Sequence, residues 1–121
     1  MPSPSQVAGL SGEAQAKAYL RSLNYQMIEH HYTCRYGEID LIALDCETLV
    51  FVEVKLRTND KFGTVEESVS PAKQKKLIQT IEHFRNEHPE YLSRDYRFDL
   101  ITINPKQPQP INHLTNLSLE G

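Results

Sequence analysis

Three apolar runs dominate the middle and end of the chain. EIDLIAL at 38–44 and LVFVEVKL at 49–56 are separated by the short polar stretch Asp45-Cys46-Glu47-Thr48, and YRFDLITI follows at 96–103. Runs of this length, rich in β-branched and aromatic residues and bounded by turn formers, predict strands, and the first two predict a hairpin. Tyr25 to Thr33, apolar at Met27 and Ile28, predicts a strand before them, with Gly37 as punctuation. Two segments carry helical spacing instead. GEAQAKAYL at 12–20 consists of strong helix formers behind Ser11, a good N-cap; Leu10, Ala14 and Ala18 give it an apolar face, and Asn24 a place to stop. Ser70-Pro71 opens a second helix, in which Leu77, Ile78, Ile81 and Phe84 recur at helical spacing up to Pro89.

The order is α-β-β-β-α-β. The predicted fold class is α/β, a mixed four-stranded sheet flanked by the two helices. Residues 1–10 read as a flexible N-terminal tail and 11–103 as the domain. Residues 104–121, with Pro105, Pro108 and Pro110, read as a Pro-containing C-terminal tail, extended and loosely attached.

The hairpin turn centres between Cys46 and Glu47, so antiparallel partners should have numbers summing to about 93. On that register Ile39 meets Val54, Leu41 meets Val52 and Ala43 meets Val50, a wholly apolar face predicted to be core. On the other face Asp40 meets Glu53, Glu38 meets Lys55 and Ile42 meets Phe51. Like charges facing each other across a sheet are destabilising and call for a compensating positive charge. A plain charged outer face with a Glu38–Lys55 ion pair is one reading of this pattern. The presence of Ile42 and Phe51 on the same face argues for another, a built site.

Composition narrows the setting. A chain of 121 residues suits one domain with one core. No apolar run approaches the roughly 20 residues that span a bilayer, so no membrane association is expected. MPSPSQVAGL has neither a basic start nor an apolar stretch and is not read as a secretory signal. With only Cys34 and Cys46 available for pairing, a reduced, cytoplasmic location is expected. The net charge of −3 argues against tight non-specific nucleic-acid binding, leaving local charge to decide that question. His30, His31 and Cys34 cluster in sequence but lack a fourth ligand at zinc spacing, and are read as core or surface residues. No Gly-rich phosphate loop and no Ser or Cys nucleophile motif is present, so no small-molecule cofactor is expected.

Facing carboxylates are what hard cations such as Mg²⁺ take, usually with waters and phosphate oxygens completing the shell. Asp40 and Glu53 are the candidate metal ligands, with the Val54 backbone carbonyl as a third. Lys55, on the same face as Glu53, is placed to stabilise developing charge. The chemistry so permitted is phosphodiester hydrolysis.

GEIDLIA followed by LVFVEVKLR resembles the Asp…Glu-x-Lys signature of the PD-(D/E)xK nuclease superfamily. More closely, the chain resembles the YraN-like family of small bacterial proteins, related to archaeal Holliday junction resolvases. The resemblance spans most of residues 9–103 through GEAQAKAYL, CRYGEIDLIA, VFVEVKLR, KFG, ESVSPAKQKKL and RFDLITI. It implies a restriction-endonuclease-like fold, Mg²⁺ or Mn²⁺ as cofactor, Asp40 and Glu53 as ligands, Lys55 as the catalytic lysine, and Glu13 as a further catalytic and metal-facing glutamate. It also implies that Arg35, Arg57, Lys73, Gln74 and Lys76 face nucleic acid, and leaves the role of Asp99 open. The implied partner is DNA, branched or junctional, and the two-fold symmetry of a junction implies a homodimer. One departure stands out: the family commonly has Asn-x-Arg where this chain has His31-Tyr32-Thr33. The competing expectation is a non-catalytic nucleic-acid- or protein-binding module that keeps the nuclease fold.

Overall fold

A computed structural model describes residues 11–56 and 70–119. Arg57 and the KFG stretch therefore lie outside the described residues, as do Leu10 and the rest of the 1–10 segment. The elements are α1 (Gly12–Ser22), β1 (Gln26–Cys34), β2 (Gly37–Asp45), β3 (Thr48–Leu56), α2 (Pro71–Glu87), a short 3-10 turn (Pro89–Tyr91), β4 (Tyr96–Ile103) and β5 (Ile111–Leu114). They form a mixed α/β fold, as the sequence pattern predicts. The sheet has five strands in the order β1-β2-β3-β4-β5. β3 and β4 run parallel and every other neighbouring pair runs antiparallel. The chain reaches β4 from β3 by way of α2, the crossover that parallel neighbours require.

The fifth strand differs from the four expected. The segment from residue 104, expected to be loosely attached, turns back on itself, with Asn104 N–H donating to the Pro110 carbonyl at 2.8 Å. It then pairs β5 against β4 from Ile103↔Ile111 to Leu100↔Leu114. Beyond β5, Leu117 N–H donates to the Phe98 carbonyl at 2.8 Å, and Leu117 and Leu119 pack on the core. The prolines shape the connection and leave the pairing residues free to donate.

Both helix starts are capped as their sequences predict. Ser11 Oγ accepts from Ala14 N–H at 3.2 Å, and Ser70 Oγ from Lys73 N–H at 3.3 Å with Pro71 in the first turn. Ser70→Ala is expected to cost about 1 kcal/mol, the usual worth of such a cap, measurable as a lower urea midpoint with an unchanged slope. Asn24, at φ 67°, closes α1 in the left-handed conformation that asparagine tolerates. The face of α1 that meets the sheet is Ala16 and Leu20, one position pair round from the expected Ala14 and Ala18.

The sheet has a core on each side. Ile39, Ile42, Leu44, Leu49, Phe51 and Phe98 pack against Leu77, Ile81 and Phe84 of α2. Leu41, Val50, Val52, Ile101 and Ile103 pack against Ala16 and Leu20 of α1. The sum-93 register holds from Asp45↔Thr48 to Leu41↔Val52. It ends there. Ile39 belongs to the α2 side with Ile42, not to the α1 side with Leu41, so strict alternation fails at Asp40. The expected pairings Ile39–Val54, Asp40–Glu53 and Glu38–Lys55 are absent from the ladder, and the end of the β2–β3 ladder before Asp40 is what positions the site.

Candidate metal centre

At the break, a side chain takes over the role of a strand. Val54 N–H donates to Asp40 Oδ2 at 2.7 Å, satisfying a backbone donor that β2 no longer meets. β1 is irregular at the same level. His30 pairs with Leu41 and Tyr32 with Ile39, and between them His31 adopts φ 52°. Its ring lies with Nδ1 3.4 Å from Glu13 Oε1 and Nε2 3.5 Å from Glu38 Oε2. Glu13 arrives from the first turn of α1. One donor atom each from Glu13, His31 and Asp40 lies within 4.8 Å of the other two. Metal–oxygen and metal–nitrogen bonds of about 2.1 Å span donors up to about 4.2 Å apart, so the three stand within a small side-chain rotation of ligation.

The charge here is crowded. The Asp40 pKa is pushed up to about 6, first by burial and then by the neighbouring Glu53 and Glu13 carboxylates, with the Val54 N–H acting in the opposite direction. A carboxylate held neutral-leaning by its own neighbours is one that a cation would relieve.

Glu53 has already found cations. Lys73 Nζ from α2 donates to Glu53 Oε1 at 2.6 Å, and Lys55 Nζ lies 3.7 Å from the same oxygen. Burial works against the Lys73 ammonium, but the hydrogen bond and charge of Glu53 outweigh it and raise the Lys73 pKa. Glu53 is nearly buried while Lys55 is 39% exposed, so one end of this relay is fixed and the other opens to solvent.

Set against the sequence expectations, Asp40, Glu13, Glu53, Lys55 and Val54 come together at one strand break. Val54 does so through its N–H, which donates to Asp40 Oδ2. Glu38 turns to His31, and Lys55 to Glu53. Of the residues expected to face nucleic acid, Lys73 is engaged with Glu53, whereas Arg35 is exposed, stacking over Tyr36 at 4.8 Å and donating to its hydroxyl. Lys76 is exposed on the first turns of α2 and Gln74 is partly buried. His31, read from sequence as a core or surface residue, is in the site. Its left-handed backbone, at φ 52°, leaves no periodic signal in the sequence. Two carboxylates and an imidazole are donors that divalent cations accept.

Asp99, left open from sequence, proves to be the centre of a separate network. It is fully buried and accepts from Arg97 Nε at 3.0 Å, His113 Nε2 at 2.7 Å and Asn116 N–H at 2.9 Å. Arg97 also donates to Asp45 Oδ2 at 3.1 Å and the Tyr25 hydroxyl at 2.7 Å. A carboxylate only accepts, so Nε2 of His113 carries a proton and Nδ1, in the neutral ring, accepts from the Tyr19 hydroxyl at 3.1 Å. This network ties β5 to β4, β2, α1 and Tyr25 just before β1, and shares no residue with the candidate metal centre.

Comparison with known proteins matches residues 12–103 to the model of a group described as "Uncharacterised protein family UPF0102". A UPF0102 protein of Alcanivorax borkumensis is 40% identical over 103 residues, 85% of this chain and 82% of the relative. One of Stutzerimonas stutzeri is 38% identical over 115 residues, covering 94% and 96%. One of Syntrophus aciditrophicus is 43% identical over 98 residues, covering 81% and 76%. Among the described residues no helix is long and apolar enough to cross a membrane.

Proposed function

This chain belongs to the bacterial UPF0102, or YraN-like, family, and from that premise we propose that it is a divalent-metal-dependent endonuclease hydrolysing DNA phosphodiester bonds, with branched DNA as the preferred substrate. The observation that carries this reading is the break in the β2–β3 ladder at Asp40, around which Glu13, Asp40, Glu53 and Lys55 converge. Glu13 and Asp40 would hold Mg²⁺ or Mn²⁺, with Glu53 joining when its lysine partners yield. When bound, the ion offsets charge on a phosphate oxygen and acidifies a water molecule.

The protein's own groups do the rest. Val54 N–H fixes the orientation of Asp40. Lys73 holds Glu53 in place from the α2 side. Lys55, half-exposed and more loosely held by Glu53 than Lys73 is, would donate to a phosphodiester oxygen as charge develops on it. Arg35 and Lys76 offer exposed cations for phosphates flanking the scissile bond. A cytoplasmic location and a homodimer on a two-fold junction complete the proposal.

A second reading has one specific observation in its favour. Glu53 is already neutralised by Lys73 and Lys55, as it would be in a binding module that keeps the fold without turnover. Cleavage of linear, flap and four-way DNA in Mg²⁺ and Mn²⁺, by wild type and Lys55→Ala, separates the two. The nuclease reading expects wild-type cleavage and a loss of about 10²–10³-fold in the variant, with melting unchanged. Equal cleavage by both would remove Lys55 from its role. DNA binding that persists in EDTA, with no cleavage of any substrate, would establish the binding module.

A further inference from the structure

Resting on the reading of this site as a metal centre, we propose that His31 is a nitrogen ligand of the cation and biases the site towards Co²⁺, Ni²⁺ and Zn²⁺ over Mg²⁺. The imidazole is drawn into the carboxylate group by its own strand: the ladder skips His31 between His30↔Leu41 and Tyr32↔Ile39, directly opposite Asp40. It stands with a donor atom within 4.8 Å of donors on both Glu13 and Asp40. One ring nitrogen faces Glu13 and the other faces Glu38. Ligation through Nδ1, the nitrogen on the Glu13 side, leaves Nε2 beside Glu38, an outer-shell partner that fixes ring orientation and raises ligand basicity.

The consequence is chemical. Mg²⁺ takes oxygen ligands and keeps its waters, so an imidazole adds little to its binding. Any oxygen or nitrogen site binds Co²⁺ and Ni²⁺ more tightly than the earlier divalent ions, and an imidazole donor steepens that preference. The set with His31 should therefore favour Co²⁺, Ni²⁺ and Zn²⁺ over Mg²⁺ more strongly than the carboxylates of Glu13 and Asp40 would alone. His31 is thus a specificity-determining residue of this site.

His31→Asn is the variant of choice. Asparagine tolerates the left-handed backbone found at position 31, so the strand break survives while the nitrogen donor is lost. Calorimetric titration of the full chain with Co²⁺, Ni²⁺ and Mg²⁺, for wild type, His31→Asn and Asp40→Asn, is the experiment. The expected result is tighter wild-type binding of Co²⁺ and Ni²⁺ than of Mg²⁺, weakened by about tenfold or more in His31→Asn, with Mg²⁺ affinity nearly unchanged. Cu²⁺-loaded wild type should also show imidazole ¹⁴N modulation in pulsed electron paramagnetic resonance, lost in His31→Asn. Wild-type Co²⁺ and Mg²⁺ affinities in His31→Asn, alongside lost binding in Asp40→Asn, would overturn the His31 assignment and leave the metal centre standing. Unchanged Co²⁺ binding in Asp40→Asn would overturn the metal centre itself, and the assignment with it.

Discussion

Asp99→Asn should destabilise the fold by about 3–5 kcal/mol, the usual cost of breaking a buried ion pair by removing one partner. The wild-type carboxylate is fully buried and accepts from Arg97, His113 and the Asn116 backbone. Asparagine keeps the shape but carries no charge and offers one oxygen where the donors need two, so that either its NH₂ group faces the Arg97 guanidinium, which can only donate, or His113 must exchange its donor nitrogen for an acceptor. The Arg97 guanidinium then keeps Asp45 as its one carboxylate partner. Against a total stability of about 5–15 kcal/mol for a domain of this kind, such a loss is a large share of the whole. Burial alone would raise the Asp99 pKa, but the hydrogen bonds from His113, Arg97 and Asn116 N–H outweigh it, and the pKa is lowered. The stability it contributes is therefore fully present above the ordinary aspartate value and lost as pH falls through the depressed folded one. Urea unfolding at neutral pH should show the full gap between wild type and variant, and at pH 2 a smaller one. A gap below about 1 kcal/mol at neutral pH, the worth of an ordinary surface pair, would mean that the network orients β5 without stabilising it.

Asp40→Asn should act in the opposite direction on stability while abolishing the response to metal. The Asp40 carboxyl is pushed up to about 6 in the fold, above the ordinary aspartate value of 3.8. The folded state therefore holds a proton that the unfolded chain has released between those values. Stability falls as pH rises through that window, and the cost is complete above about 6. A rise from 3.8 to about 6 corresponds to about 3 kcal/mol at most, and solvent screening at a partly exposed site brings this to about 1–2 kcal/mol. Asparagine is neutral throughout and still presents an oxygen to Val54 N–H. Without metal at pH 7 the variant should melt several degrees higher than wild type, and below pH 3.8 the two should coincide. Mn²⁺ at ten times its Kd should raise wild-type stability by about 1.4 kcal/mol and leave the variant where it was. A variant that melts lower at pH 7, or that still responds to Mn²⁺, would contradict the crowding of charge around Asp40.

Most elements could be read from the chain because local chemistry and global packing agree in them. β4 begins and ends where its apolar run does, and α2 starts at the Ser-Pro cap and stops before Pro89. The hairpin register followed from its two-residue turn. Three features escaped, each for a nonlocal reason. β5 is four residues, Ile-Asn-His-Leu, behind three prolines, and its place is fixed by β4 and Asp99, far away in sequence. The change of face at Ile39 breaks the period-two rule on which strand reading depends, because Asp40 substitutes a side-chain acceptor for a backbone one. The kink at His31 answers to packing around Asp40. Of the candidate site, Asp40, Glu53 and Lys55 were legible because charge inside an apolar run is costly unless it has a purpose or a partner. Lys73 was legible as a polar residue at a helix start, but its engagement with Glu53 depends on how α2 lies across the sheet.

The irregularity of β1 has an effect on the outside of the molecule as well. β1 is an edge strand, with β2 on one side and no neighbour among the described strands on the other. A straight edge with open backbone donors and acceptors invites another chain to add to it. Here the register shifts between Met27 and Glu29, and the backbone turns left-handed at His31. A would-be intruding strand meets an interrupted row of hydrogen-bonding groups flanked by Glu29, His30 and His31. The distortion that brings an imidazole to the carboxylates thus also guards the sheet against runaway aggregation.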